Sequence, residues 1–285
     1  MKILVTGCNG QLGHAMQEIS TYLSEWTWKF TDLPELDITN PEQVNQTVKN
    51  FQPDWIINAA AYTDVDGAET NQELAFRVNA EGPHNLAKAV IEANAKLVHI
   101  STDYVFDGTK NEPYTETDQP NPLQVYGKSK LEGETLIQET GVLGIIIRTS
   151  WLYGTHGKNF VKTIIRLAEE KDEIQVVDDQ IGSPTYVGDL AEVILELLSK
   201  HTFHHLELLH YSNEGGISWY EFAEKINLLC SLGCTIKLIS SETLKQKAIR
   251  PSFTKLDVSQ IKKKFQVIIQ QWDDSLALFL NEKKF

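Results

Sequence analysis

YGKSK places Tyr126 and Lys130 four residues apart, a spacing that puts two side chains on one face of a helix. A phenol with its ordinary pKa of about 10 exchanges protons poorly at neutral pH. An ammonium beside it favours the phenolate and lowers that value. The pair can then act as a positioned proton donor to a developing alkoxide. The plain alternative is a surface pair without chemistry. Upstream, HISTDYVF carries Ser101, Thr102 and Asp103 at the end of an apolar run. A hydroxyl there can donate to the same oxygen that Tyr126 protonates.

A third feature opens the chain. In MKILVTGCNGQLG an apolar run meets Gly7, Gly10 and Gly13. Glycine suits backbone that turns sharply or approaches a ligand closely. After the first strand of a doubly wound sheet, such a turn holds a pyrophosphate at the N-terminus of the following helix. The spacing here is G-x-x-G-x-x-G rather than G-x-G-x-x-G, so context carries the reading. Asp32, nineteen residues beyond Gly13, ends the second apolar run, where a carboxylate bonds ribose hydroxyls and favours NAD over NADP. A turn residue before Pro34 is the alternative for Asp32, and Asp37 could sit near the adenine instead.

These residues need elements to position them, and the pattern supplies alternating strands and helices. Lys2–Thr6, Trp28–Asp32, Pro53–Ala61, Ala95–Ser101 and Val142–Ser150 read as strands. Between them, Leu12, Met16, Ile19 and Leu23 recur at helical spacing, and Asn40–Pro41 is a cap followed by proline at the first helical position. Leu74–Ala93 reads as one long helix, and Tyr126–Thr140 as another. Strand–helix alternation implies right-handed crossovers and a parallel sheet covered on both faces. The expected fold class is α/β: a Rossmann-like doubly wound parallel sheet with a smaller, discontinuous α/β substrate-binding domain. The expected division is 1–150 plus parts of 184–212 for the dinucleotide, and 151–183 with 213–285 for the substrate.

The chain has 285 residues, 41% hydrophobic and 23% charged, with a formal net charge of −13. That acidic balance argues against a nucleic-acid partner. No apolar run reaches membrane-spanning length, and the start does not read as a secretory leader. Three cysteines, Cys8, Cys230 and Cys234, do not make a disulfide scaffold, and a reducing cytoplasm is expected. His201, His204, His205 and His210 lack metal-ligand spacing, so no metal is expected.

TGCNGQLG, NAAAYTDVD, STDYVF, YGKSK and RTSWLYG together resemble the extended short-chain dehydrogenase/reductase family, specifically its branch that reduces 4-keto nucleotide sugars. DQIGSPTYVGDLA and RPSFTKLD extend the resemblance over nearly the whole chain. It implies NADH or NADPH as cofactor and reduction of the C4 ketone of dTDP-4-dehydro-L-rhamnose. By the same resemblance, Tyr126 would protonate the C4 oxygen, Lys130 would bind the nicotinamide ribose, and Thr102 would bond the carbonyl. Gly7, Gly10, Gln11, Leu12 and Gly13 would cradle the pyrophosphate. Asp32, Asp37 and Ile38 would border the adenosine, and Ala59, Ala60, Ala61 and Tyr62 would line the cofactor channel. Asp103, Tyr104, Trp151, Asn159 and Arg250 would meet the substrate. Core burial for Trp151, a helix cap for Asn159 and a surface turn for Arg250 are the alternatives.

The expected partners are a small nucleotide sugar and, as an assembly the sequence leaves open, a homodimer. Some relatives bridge subunits through a metal held by carboxylates, one of them near the position of Ala15, which cannot ligate. Two rival functions stand beside the reductase. An epimerase or dehydratase of the same fold would retain its cofactor, but the dehydratases' Glu after S-T-D is Tyr104 here. A non-catalytic NAD(P)-binding regulatory subunit would have no need of the Tyr126/Lys130 pair.

Overall fold

The computed structural model describes residues 1–244 and 246–282. Lys245 and residues 283–285, part of the expected 213–285 stretch, lie outside the described residues.

The first half alternates as its pattern requires: β1 (Lys2–Thr6), α1 (Gln11–Ser20), β2 (Thr27–Thr31), α2 (Pro41–Phe51) and β3 (Trp55–Asn58). Asn40 caps α2, its side chain accepting from the N–H groups of Glu42 and Gln43. The long helix expected over 74–93 is instead broken. The chain forms α3 (Val65–Ala68), α4 (Gln72–Phe76), a π-helical turn (Arg77–Glu81) and α5 (Gly82–Glu92). Pro83 explains the wide turn, because it has no N–H and its ring crowds the carbonyl four residues back, that of Asn79. Then come β4 (Lys96–Thr102), a 3₁₀ turn (Asp103–Val105), α6 (Val125–Thr140) and β5 (Gly144–Thr149). Gln124 caps α6 by accepting from the Gly127 N–H, and Gly141 ends it with φ +72°, a left-handed geometry that suits glycine.

The second half is less regular: β6 (Leu152–Tyr153), α7 (Phe160–Glu170), β7 (Glu173–Val177), β8 (Ile181–Gly182), β9 (Thr185–Tyr186), α8 (Val187–Lys200) and β10 (Leu206–His210). β11 (Ile217–Ser218), α9 (Trp219–Leu229), β12 (Thr235–Ile239), α10 (Ser259–Phe265) and α11 (Trp272–Glu282) follow.

Six strands make one parallel sheet in the order β10-β5-β4-β3-β1-β2. Strand order reverses between β1 and β3, and a ligand crevice opens there at the carboxyl ends. Side chains alternate across the sheet. Ile3, Val5, Ile57, Val98, Ile145 and Ile147 face α1, α8 and α10. Leu4, Ile56, Leu97 and Ile146 face α2, α5 and α6. Both faces are therefore dry, which is why these strands read as unbroken apolar runs. A separate cluster joins α7, α9 and α11 to the β7–β12 pair. Ile261 and Phe265 of α10, with Val267 and Ile269, pack back on the main sheet.

Candidate active site

A cleft of about 740 Å³ opens over the carboxyl ends of β1, β3, β4 and β5. The glycines build its floor for three different reasons. Gly7 has φ +69°, and a Cβ there would fall 2.4 Å from the Ala60 nitrogen. A Cβ on Gly13 would meet the Gly7 oxygen and the Cys8 Cα at 2.4 Å, so this glycine lets α1 close on the loop and does not itself line the cleft. Gly10 is the N-cap of α1 and does line it, with Gln11 and Leu12. The first turn of α1 carries no acidic residue, leaving its N–H groups and dipole free to favour an anion.

Asp32, Asp37 and Ile38 border one end of the cleft, and Ala59, Ala60 and Ala61 run along it. The Asp32 carboxylate accepts the N–H groups of Asn9 at 3.0 Å and Leu33 at 2.8 Å, which ties the end of β2 to the glycine loop. Asp37 accepts from the N–H and hydroxyl of Thr39 at 2.9 and 2.8 Å. Tyr62 leaves the channel that the resemblance gave it. Asn79 clasps its backbone on both sides, at 2.8 and 3.0 Å, and its ring packs beside Ala68, Ala75 and Val125.

Thr102, Asp103, Tyr104, Tyr126 and Lys130 meet in the cleft. Thr102 caps the 3₁₀ turn by accepting the Tyr104 N–H at 3.2 Å, and its hydroxyl donates to Asp103 Oδ1 at 3.1 Å. The Tyr126 hydroxyl shares a hydrogen bond with Thr102. Burial pushes Tyr126 up to about 12, against the lowering pull of that bond. The depression expected from Lys130 is therefore not what this structure gives: Lys130 is not among the groups that shift Tyr126, and burial, helped by the Asp103 charge, holds the ring as the phenol, the form that donates. Burial pushes Lys130 down to about 8, opposed by the Glu134 carboxylate. Its Nζ donates to the Ile100 carbonyl at 2.6 Å. Burial lifts the Asp103 carboxyl to about 7, although Thr254 and Thr102 bond it.

A buried ion pair sets the rotation of α6 that presents Tyr126 and Lys130. Arg148 of β5 holds Glu134 through Nε at 2.9 Å and Nη2 at 2.6 Å, and the Ser101 hydroxyl of β4 donates to the same carboxylate. Glu134 lies one turn beyond Lys130, on the same helix face. Gly127 and Gly133 let α6 press close, since a Cβ would strike the carbonyl oxygens of Tyr104 and Asn79 at 2.1 and 2.2 Å.

On the substrate side, Trp151 lines the cleft at φ +48°. It is half-buried rather than core, stacked on Trp219 with ring centres 3.4 Å apart. Two expected residues stand back from the cleft. Asn159 caps α7 through the Lys162 N–H at 3.0 Å and donates to Gly154 O and to Gln11 Oε1. Arg250 pairs with Asp66 at 2.8 and 3.2 Å, and that guanidinium holds the Asp66 carboxyl down to about 2. Sequence reasoning passed over Thr63, Val65, Ser150, Lys158 and Trp219, all of which line the cleft. The signal for Trp219 was SW before a helical run: Ser218 and Glu221 form a capping box that fixes the start of α9.

The chain is similar to known proteins over its whole length. Over 287 aligned residues the chain is 40% identical to a dTDP-4-dehydrorhamnose reductase of Aggregatibacter actinomycetemcomitans, covering 96% of this chain and 97% of that protein. It is also similar to the solved dTDP-4-dehydrorhamnose reductase of Clostridium acetobutylicum, with TM-score 0.95, 40% identity and 99% of each chain covered. The Bacillus anthracis reductase, solved in complex with NADP, gives TM-score 0.95, 42% identity and the same 99% coverage of each chain. The family described as the RmlD substrate binding domain matches residues 1–285, and the chain belongs to that family.

Proposed function

We propose that this protein reduces the C4 ketone of dTDP-4-dehydro-L-rhamnose to dTDP-L-rhamnose with NADPH or NADH. The observation that carries the reading is the meeting of Thr102, Tyr126 and Lys130 in the cleft floored by the glycine loop. The loop fits a dinucleotide: Gly7 and Gly13 leave no room for side chains, and the open N-terminus of α1 suits a pyrophosphate. Bound there, the nicotinamide supplies the hydride. Tyr126, held as the phenol, gives its proton to the C4 oxygen, while Thr102 orients that oxygen. Lys130 stands one helical turn away to bond the nicotinamide ribose and offset charge left on Tyr126. Asp103 and Tyr104, on the 3₁₀ turn, and Trp151 border the sugar. Arg250, paired with Asp66 and bonded to Tyr104 of the cleft, stands at the margin of the substrate side.

The proposed division of labour draws support from the α7–α9–α11 cluster, which stands apart from the main sheet. Residues 1–150 with parts of 184–212 hold the dinucleotide, and 151–183 with 213–285 hold the substrate, with α10 packed back on the sheet. Among the described residues no helix is long and apolar enough to cross a membrane, and NADPH and nucleotide sugars support a cytoplasmic site of action.

The test is a 340 nm assay of purified protein with each reduced cofactor and dTDP-4-dehydro-L-rhamnose generated in place. Stoichiometric cofactor loss with dTDP-L-rhamnose appearing supports the reading. No consumption, with the generating enzymes active, removes this substrate.

A further inference from the structure

Behind Lys130 lies a chain of buried polar groups that the proposed reaction leaves unused. Asn58, at the end of β3, accepts the Ala60 N–H at 3.2 Å and the Thr6 hydroxyl at 2.7 Å through Oδ1. A backbone N–H only donates, so the oxygen end of this amide is fixed. Nδ2 therefore faces His99 Nδ1, at 3.0 Å. An amide nitrogen also only donates, which leaves Nδ1 as the acceptor. Burial, then the charge of Lys130, hold His99 well below the ordinary imidazole value, so the ring is neutral. Its one proton sits on Nε2, and Nε2 lies 3.4 Å from Lys130 Nζ.

That contact has a sign. An Nε2–H facing an ammonium sets donor against donor, whereas facing an amine it donates into the lone pair. We infer that His99 is a positioning residue for Lys130: locked as the Nε2–H tautomer by Asn58, it favours the amine and makes the lysine ready to release a proton. The inference rests on the role of Lys130 in the reaction proposed above. After Tyr126 has given its proton to the C4 oxygen, the phenolate regains one that Lys130 supplies; the two share a helix face one turn apart, and a hydroxyl between them, such as that of the nicotinamide ribose, would relay it. An N–H bond breaks, an O–H bond forms, and the amine left behind receives the His99 hydrogen bond. Water then reprotonates the amine, releasing hydroxide, so each turnover draws one proton from solvent.

The other ionisable groups around Lys130 do not supply this bias. Tyr126 and Glu134 share its helix, and Glu134 favours the ammonium. Arg148 of β5 is committed to Glu134. Asp103 lies beyond the end of β4, and Arg77 and Glu81 of the π turn are exposed.

The experiment reads the tautomer directly. Protein labelled with ¹⁵N-histidine is titrated by NMR between about pH 5 and 8, where an ordinary imidazole changes charge, with His99→Gln to assign the signal. The neutral Nε2–H form throughout is expected; an Nδ1–H tautomer or an imidazolium overturns the inference. Asn58→Asp replaces the donor by an acceptor, which moves the ring proton to Nδ1 and offers Lys130 a lone pair. The Lys130 midpoint, followed on its ¹³Cε with Lys130→Arg for assignment, should then rise by about one unit or more, a tenfold gain in proton affinity, beyond the rise that the new carboxylate's charge alone gives in Asn58→Asp/His99→Gln; an equal rise in both overturns the inference. An unchanged midpoint in the folded variant overturns the inference, and if that variant does not fold, the native tautomer decides alone. Neither measurement uses the sugar, so a failure of the reductase reading shows separately, in the 340 nm assay.

Discussion

At the scale of single residues, Tyr126 and Lys130 share a helix face but differ in what their loss should do. Tyr126→Phe removes only the proton donor. Turnover should fall by roughly 10²- to 10⁴-fold, with cofactor affinity changed by no more than about twofold, as read by nicotinamide fluorescence. Strong loss of cofactor binding in that variant would contradict the assignment. Lys130→Ala should damage both turnover and affinity. Asp103 yields a pH prediction. Burial holds its folded pKa near 7, above the ordinary value of 3.8, so its contribution to stability is full below the unfolded pKa and lost as pH rises through the folded one. Asp103→Asn cannot ionise, so relative to the parent it should gain roughly 2 to 4 kcal/mol between pH 4 and pH 8 in urea unfolding. A constant difference across that range would show that the carboxyl is not held neutral in the fold.

At the scale of elements, α6 is set by Glu134, Arg148 and Ser101 rather than by its own amphipathicity. Glu134→Ala leaves a buried guanidinium unpaired and should cost about 3 to 5 kcal/mol in denaturant unfolding; a loss within about 0.5 kcal/mol would mean that the pair does not fix the helix. The strands were legible because both sheet faces are dry, so Ile3, Leu4 and Val5 form one apolar run. The Tyr126/Lys130 pair was legible because short-range spacing carries its geometry, and the glycine turn because an apolar strand precedes it and a helical run follows. The break at Arg77–Glu81 was not, since a helical period hides a π turn until Pro83 is weighed against the carbonyl of Asn79. Arg250 and Asp66 lie 184 positions apart, and Trp151 and Trp219 likewise meet only through the fold. No local pattern announces either contact, and so the cleft's substrate side was the less readable half.

At the scale of the whole molecule, one parallel sheet carries the glycine loop, the Thr102 turn and α6, while the α7–α9–α11 cluster closes the far wall through Trp219. A ligand bound across these parts stabilises all of them together. NADPH at about 100 times its Kd should add about 2.7 kcal/mol and raise Tm by roughly 5 to 10 °C. An unmoved transition would place the dinucleotide elsewhere or nowhere. The claim that joins the scales is that hydride reaches C4 of the sugar while Tyr126 supplies the proton. The measurement that tests it most directly is NMR of the product formed from NADPH deuterated on the transferred face of the nicotinamide ring. Deuterium at C4 of dTDP-L-rhamnose, with none washed into solvent, is the predicted result. A product without deuterium at C4, or a sugar altered while the cofactor stays reduced, would contradict it.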